Sequence, residues 1–112
     1  MPLDGTNFNE TAYVLVEAQR LLLRDGWCQG SGRQGTSRCV IVALFDASSG
    51  DITRDEEIDA HLYEEPFLSA WRAVARNLGF DYAGQILAWN DLNCHVVEDV
   101  LAVLDDAAVS LP

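Results

Sequence analysis

The sequence contains no lysine, so arginine supplies all seven basic residues against 18 acidic ones, and the formal net charge is −11. A chain with so few cations cannot neutralise many phosphates, which disfavours direct nucleic-acid binding. It also lacks any apolar run near the roughly 20 residues that a helix needs to cross a bilayer. We therefore expect neither a nucleic-acid ligand nor a membrane span.

Sorting signals and disulfide patterns are absent as well. The first ten residues carry no basic cluster and no apolar segment of the secretory type, which favours a cytoplasmic location. The three cysteines are an odd number with no Cys-x-x-Cys pair, so we expect reduced thiols. With 112 residues, 49% of them hydrophobic, the chain can bury a core unaided. We predict one helical domain over residues 1–112, with residues 1–6 as a loose N-terminal tail.

The spacing of the apolar residues predicts a mainly α fold. The predicted helices cover residues 9–24, 38–48, 66–78 and 95–108. In the last one His95 takes the N-cap position of a capping box with Glu98. We expect a small bundle of three or four helices with a short β-hairpin or turn after the first. The predicted core consists of Leu15, Leu22, Val42, Phe45, Trp71, Leu78, Val97, Leu101 and Leu104.

Two segments are harder to interpret. Residues 39–45 are apolar on every side, and their β-branched residues favour a strand. The Ser/Thr residues before the run and Gly50 after it favour a helix, which is our interpretation, with a strand left open. Residues 81–88 are expected to be short and irregular, and Asn90-Asp91 indicates a turn before the last helix.

Cys28 lies in a glycine-flanked turn and has histidines after it in the chain. A cysteine-dependent hydrolase or transferase could use Cys28 as nucleophile, His95 as base and Asp91 or Asn90 as the orienting group. Only the Cys-then-His order matches papain-like enzymes, because the local papain signature is missing. We therefore favour a structural cysteine beside a packed tryptophan, and a protein that is not an enzyme.

No metal or cofactor is expected. Cys28, Cys39, Cys94 and His95 are zinc ligands by type, but Cys28 and Cys39 lie eleven residues apart and do not form a closely spaced pair. Residues 50–56 match the second half of a calcium-binding loop, but its first half places Phe45 and Ala47 at ligand positions. Residues 30–35 match G-x-G-x-x-G without the strand and long helix that a dinucleotide site needs.

Acidic charge is concentrated in the second part of the chain. Residues 1–40 hold four acidic residues and four arginines and sum to zero, so residues 41–112 carry the whole −11. The candidate binding residues crowd into one segment and are Asp55, Glu56, Glu57, Asp59, Glu64 and Glu65. Glu98, Asp99, Asp105 and Asp106 extend the acidic surface along the last helix. This pattern predicts a non-enzymatic interaction or accessory protein with a basic protein partner, and the alternative is that the charge serves solubility alone.

Four segments in this order resemble a family of small bacterial and phage proteins classed as a domain of unknown function. They are Gly26-Trp27-Cys28-Gln29-Gly30, Cys39–Leu44, Ala88-Trp89-Asn90-Asp91 and Glu98-Asp99-Val100-Leu101. The resemblance spans roughly residues 10–108. It implies a compact helical domain, an intracellular setting and a phage or mobile-element origin, and it supplies no activity, cofactor or site residues.

Overall fold

The computed structural model describes residues 3–49, 66–80 and 85–111. Within these ranges the chain forms five α-helices and one short antiparallel hairpin. The elements are α1 (Leu3–Asp25), β1 (Arg33–Gln34), β2 (Ser37–Arg38), α2 (Val40–Ser49), α3 (Phe67–Leu78), α4 (Gln85–Leu92) and α5 (Val97–Val109). The predicted fold class is confirmed: the domain is mainly α, with a hairpin after the first helix.

Helix α1 packs against α2, α3 and α5. Its inner face consists of buried apolar side chains that recur at helical spacing: Val14, Leu15, Ala18, Leu21 and Leu22. The helix begins at Leu3 rather than at residue 9, so it takes in most of the segment predicted as a loose tail. It ends before Gly26, which adopts φ +107°. Residues with a side chain rarely adopt this backbone angle, so glycine is favoured there.

The hairpin pairs Arg33 with Arg38 and Gln34 with Ser37 across a two-residue turn. On the side of β2 that faces away from β1, the Cys28 amide donates to the Arg38 carbonyl at 3.0 Å, and the Arg38 amide donates to the Gly26 carbonyl at 3.1 Å. Strand β2 therefore lies between β1 and the segment that follows α1.

The ambiguous apolar run is helical, as we interpreted it, and forms most of α2. Its side chains from Val42 to Phe45 are all buried, because α2 is surrounded by α1, α3 and α4. Phe45 meets Phe67 of α3 edge to face with ring centroids 5.5 Å apart, and Phe67 stacks on Trp71 at 5.4 Å. Packing on several sides outweighs the β preference of the branched residues.

Helix α4 corrects the prediction for residues 81–91. Asn90-Asp91 lies inside this helix and not in a turn, and residues 85–88 are helical rather than irregular; residues 81–84 lie outside the described ranges. Ile86 and Asn90, four residues apart, are both fully buried on the face that packs toward α2 and α3. These tertiary contacts override the turn preference of the Asn-Asp pair.

The start of α5 is one residue away from the predicted capping box. Val96 is the N-cap residue, and Asp99 Oδ2 accepts hydrogen bonds from the backbone amides of His95 (2.7 Å) and Val96 (3.3 Å). The predicted pair of His95 and Glu98 was therefore wrong, since the residue three positions after the N-cap is Asp99.

The core agrees with the predicted set except at its edge. Leu15, Leu22, Val42, Phe45 and Leu104 are buried as predicted, whereas Trp71, Leu78, Val97 and Leu101 are only partly buried. In α5 the fully buried row consists of Val100, Leu104 and Ala107. None of the helices in the described ranges is long and apolar enough to cross a bilayer.

Candidate functional site

The thiol of Cys28 is buried directly after α1. Its Sγ lies 3.4 Å from the Ser31 carbonyl oxygen and 3.7 Å from that of Gly32, and it donates toward both. The thiol therefore acts as a hydrogen-bond donor to the backbone of the turn that follows it.

Asn90 is a polar side chain with no exposed surface. Its Oδ1 accepts hydrogen bonds from Trp27 Nε1 at 2.8 Å and from the Val40 amide at 3.1 Å. Its Nδ2 donates to the Cys28 carbonyl at 3.2 Å and to Asp91 Oδ1 at 2.9 Å. All four hydrogen-bonding positions of the amide are therefore used. Since Val40 is the first residue of α2, Asn90 also supplies an N-terminal cap to that helix from elsewhere in the chain.

Gln29 and Gly30 add contacts to the same helix. Gln29 Nε2 lies within hydrogen-bonding distance of three backbone carbonyls in the last turn of α4 and just after it: Asn90 (2.9 Å), Asp91 (3.3 Å) and Cys94 (2.8 Å). The amide of Gly30 donates to Asp91 Oδ1 at 3.0 Å. The side chain of Gln29 thus satisfies carbonyls that the end of a helix leaves unpaired.

We call this set of hydrogen bonds, which joins residues 27–30 and Val40 to residues 90–94, the Asn90 junction. It links positions 50 to 65 residues apart in the sequence. Sequence reasoning missed it because Asn-Asp is a turn signal. The available clue was that Gly26–Gly30 and Ala88–Asp91 were both among the segments behind the family resemblance.

The structure places two of the three residues of the catalytic alternative in the Asn90 junction and the third at the surface. Cys28 and Asp91 both belong to the Asn90 junction, where Asn90 Nδ2 donates to the carbonyl of the first and the carboxylate of the second. His95 is exposed, and its backbone amide donates to Asp99. What the Asn90 junction can do chemically is hold helix ends together, because its polar atoms are engaged with one another.

The other two cysteines are buried too. Burial raises the pKa of Cys39, although backbone hydrogen bonds from Val42 and Ile41 act in the opposite direction. Burial raises the pKa of Cys94 to about 11. Both thiols are therefore protonated at neutral pH. In the part of the chain that the structure describes, no group of three or more His, Cys, Asp or Glu side chains could hold a metal ion.

Ion pairs connect the hairpin to the two helices beside it. Arg33 binds Asp46 of α2 with both terminal nitrogens, at 2.8 and 2.9 Å. Arg38 bridges Asp46 at 2.7 Å and Asp25, the last residue of α1, at 2.8 Å. Hydrogen bonds from Arg24 and Arg38 hold the pKa of Asp25 well below its usual range. The arginines of the first forty residues are thus engaged within the molecule.

The acidic residues are divided between described and undescribed parts of the chain. The predicted binding residues Asp55, Glu56, Glu57, Asp59, Glu64 and Glu65 lie outside the described residues. The acidic side chains of α5 are all exposed: Glu98, Asp99, Asp105 and Asp106. Helix α5 contains no basic residue. None of its carboxylates forms an ion pair with a residue that the structure describes. We call these four residues the α5 acidic face.

A model of a family of unknown function, DUF6197, matches residues 8–110. This match agrees with the extent of the resemblance predicted from the sequence segments. No curated protein and no solved structure matches the chain. Since the match covers nearly the whole chain, the protein belongs to this family of unknown function.

Proposed function

We propose that this protein is a small intracellular, non-enzymatic interaction module that presents acidic side chains to a basic protein partner. The observation that carries the proposal is the α5 acidic face, which is exposed and has no cationic neighbour in its own helix. The six acidic residues between Asp55 and Glu65 are part of the proposal because of their charge in the sequence alone. A phage or mobile-element origin is part of the proposal, and its support is the resemblance in sequence.

The distribution of arginine supports a partner over simple solubility. Arg24, Arg33 and Arg38 are held by Asp25 and Asp46, so their charges are compensated at close range. The carboxylates of α5 form no ion pair with a described arginine, although Asp99 accepts hydrogen bonds from the His95 and Val96 amides. Their potentials add along one helix. A surface of one sign attracts a partner of the other sign and accelerates its association at low ionic strength.

The Asn90 junction supports the non-enzymatic part of the proposal. Cys28 donates to carbonyl oxygens and Asp91 accepts from Gly30 and Asn90. A nucleophile and its orienting group need contacts with a base and a substrate, whereas these atoms contact the scaffold.

A capture experiment from lysate of the source organism tests the proposal. Asp105→Asn and Glu10→Gln each remove one exposed negative charge, the first from the α5 acidic face and the second from α1, so they form a matched pair. We expect Asp105→Asn to reduce capture of the partner at low salt and Glu10→Gln to leave it unchanged. Salt near 0.5 M should release the partner from the unmodified protein, because it shortens the Debye length to roughly 4 Å.

The same comparison extends to the segment outside the described residues. A variant with all six of its carboxylates neutralised should lose the partner as well: Asp55→Asn, Glu56→Gln, Glu57→Gln, Asp59→Asn, Glu64→Gln and Glu65→Gln. Capture of the same proteins by every variant, at either salt concentration, would contradict the proposal.

A further inference from the structure

We infer that the outer face of α1 binds the same face of a second copy of this chain, with the two helices antiparallel. Four side chains form this face at spacings of three and four residues: Tyr13, Val16, Arg20 and Leu23. We call them the α1 stripe. They repeat in the a and d pattern of a helix–helix seam. This surface is separate from the α5 acidic face, and the inference does not depend on the proposed function.

The α1 stripe is apolar and open to solvent. Tyr13 is 60% exposed, Val16 55% and Leu23 65%. The buried residues of α1 lie on the opposite side, where the helix packs on α2, α3 and α5, so the core does not need these three side chains. Large apolar side chains grouped on one exposed helix face are typical of an interaction surface.

Arg20 sets the direction of the pairing. In a parallel pair of helices it would face Arg20 of the second copy, which places two cations together in the seam. In an antiparallel pair Tyr13 faces Leu23 of the second copy and Val16 faces Arg20 of the second copy. Arg20 can then lay its methylene groups on Val16 while its guanidinium keeps its ion pair with Glu17.

The flank of the α1 stripe is also self-complementary. Glu10, Glu17 and Arg24 follow one another at intervals of seven residues beside the seam, acidic at the N-terminal end and basic at the C-terminal end. In antiparallel coiled pairs this row faces its own copy, which brings Glu10 toward Arg24 of the second copy at both ends. At the centre Glu17 faces Glu17 of the second copy, and the ion pair with Arg20 in each copy compensates these two carboxylates. Such two-fold matching of one surface with itself is the geometry of an isologous dimer.

The charge of the molecule favours this face over others for self-association. Residues 1–40 sum to zero although the whole chain carries −11. Two copies therefore meet with least repulsion through α1. With three apolar side chains from each copy, the interface is small. Its total buried surface falls in the class of weak contacts, below about 1,200 Å².

Sedimentation equilibrium of the full chain in reducing buffer, up to about 1 mM protein, measures the association. Leu23→Glu should raise the dissociation constant at least about tenfold, because the carboxylate loses its water in the seam. Arg20→Leu should lower it at least about tenfold by adding apolar contact. Leu92→Glu introduces the same charge at an exposed leucine of α4 and should change it by no more than about twofold. A monomer at every concentration, or equal weakening by Leu23→Glu and Leu92→Glu, would overturn the inference.

Cross-linking separates the two orientations. A mixture of the Tyr13→Cys and Leu23→Cys variants should form a mixed disulfide dimer under mild oxidation with copper phenanthroline, and Tyr13→Cys alone should form little. Efficient cross-linking of Tyr13→Cys alone would show a parallel pair and overturn the proposed geometry. Added salt should strengthen this dimer, since it screens the repulsion of two copies at −11. It should weaken binding of a basic partner, so the two proposals can fail separately.

Discussion

At the residue scale, Asn90 is a polar side chain that is completely buried within the described part of the chain. A buried amide is tolerated only when its hydrogen bonds are made, and each donor or acceptor left unpaired costs roughly 1–3 kcal/mol. Asn90 forms hydrogen bonds with the Trp27 indole, the Val40 amide and the Cys28 carbonyl at the same time. Among the described residues, no buried side-chain nitrogen or oxygen lacks a hydrogen-bond partner. The side chain thus specifies how three distant parts of the chain meet.

Cys28 gives a prediction at the same scale. In the folded protein its thiol should react with iodoacetamide far more slowly than a free thiol, because it is buried and donates to the carbonyls of Ser31 and Gly32. Mass spectrometry of the alkylated peptides gives the rate at each cysteine. The same protein in urea, where all three thiols are accessible, is the control. Alkylation of Cys28 that is faster in the folded protein than in the urea-unfolded protein would support the cysteine-enzyme alternative.

At the element scale, the register of α5 decides which leucine matters for stability. Leu104 is fully buried and Leu101 is only partly buried. Leu104→Ala should lower the free energy of unfolding by about 2–5 kcal/mol, and Leu101→Ala should lower it by clearly less. Urea denaturation followed by circular dichroism measures both variants. An equal or larger loss for Leu101→Ala would mean that α5 packs in a different register.

The contact between α1 and the hairpin should depend on pH through Asp25. Hydrogen bonds from Arg24 and then Arg38 lower the pKa of Asp25 in the folded state. In the unfolded chain an aspartate has a pKa of about 3.9, so this stabilisation is present above that value and is lost as the pH falls toward the folded-state pKa.

Asp25→Asn should therefore lower the urea midpoint at neutral pH, and its difference from the unmodified protein should shrink toward about pH 3. Asp105→Asn, which removes an exposed carboxylate with no ion pair to a described residue, is the control. A difference between Asp25→Asn and the unmodified protein that stays constant across this range would show that the ion pairs of Asp25 do not contribute to stability.

Several elements could be predicted from the sequence because their signals are local. The spacing of apolar residues predicted most of the ends of α1, α3 and α5 to within a few residues. The Ser/Thr residues before the apolar run and Gly50 after it correctly favoured a helix. Helix α4 was missed because one of its two fully buried side chains is Asn90, and a buried amide adds nothing to an apolar pattern. The N-cap of α5 was missed by one residue because the capping carboxylate is Asp99 rather than Glu98.

At the scale of the whole molecule, what the sequence could not predict is which segments meet. The Asn90 junction depends on hydrogen bonds between positions 50 to 65 residues apart. No periodicity encodes such a contact, because it forms only after α1, α2 and α4 have packed. The prediction of an acidic surface depended on the distribution of charge along the chain, and its six candidate binding residues lie outside the described ranges.

The central claim is that the Asn90 junction stabilises the fold by joining residues 27–30 and Val40 to residues 90–94. A double-mutant cycle with Trp27→Phe and Asn90→Ala, measured by urea denaturation, tests it most directly. Trp27→Phe removes the indole N–H that donates to Asn90 Oδ1 and keeps an aromatic ring. We predict that the two changes are coupled by roughly 0.5–3 kcal/mol, so that the double variant is more stable than the sum of the single losses implies. Strictly additive losses, or an unchanged stability for Asn90→Ala, would contradict the account.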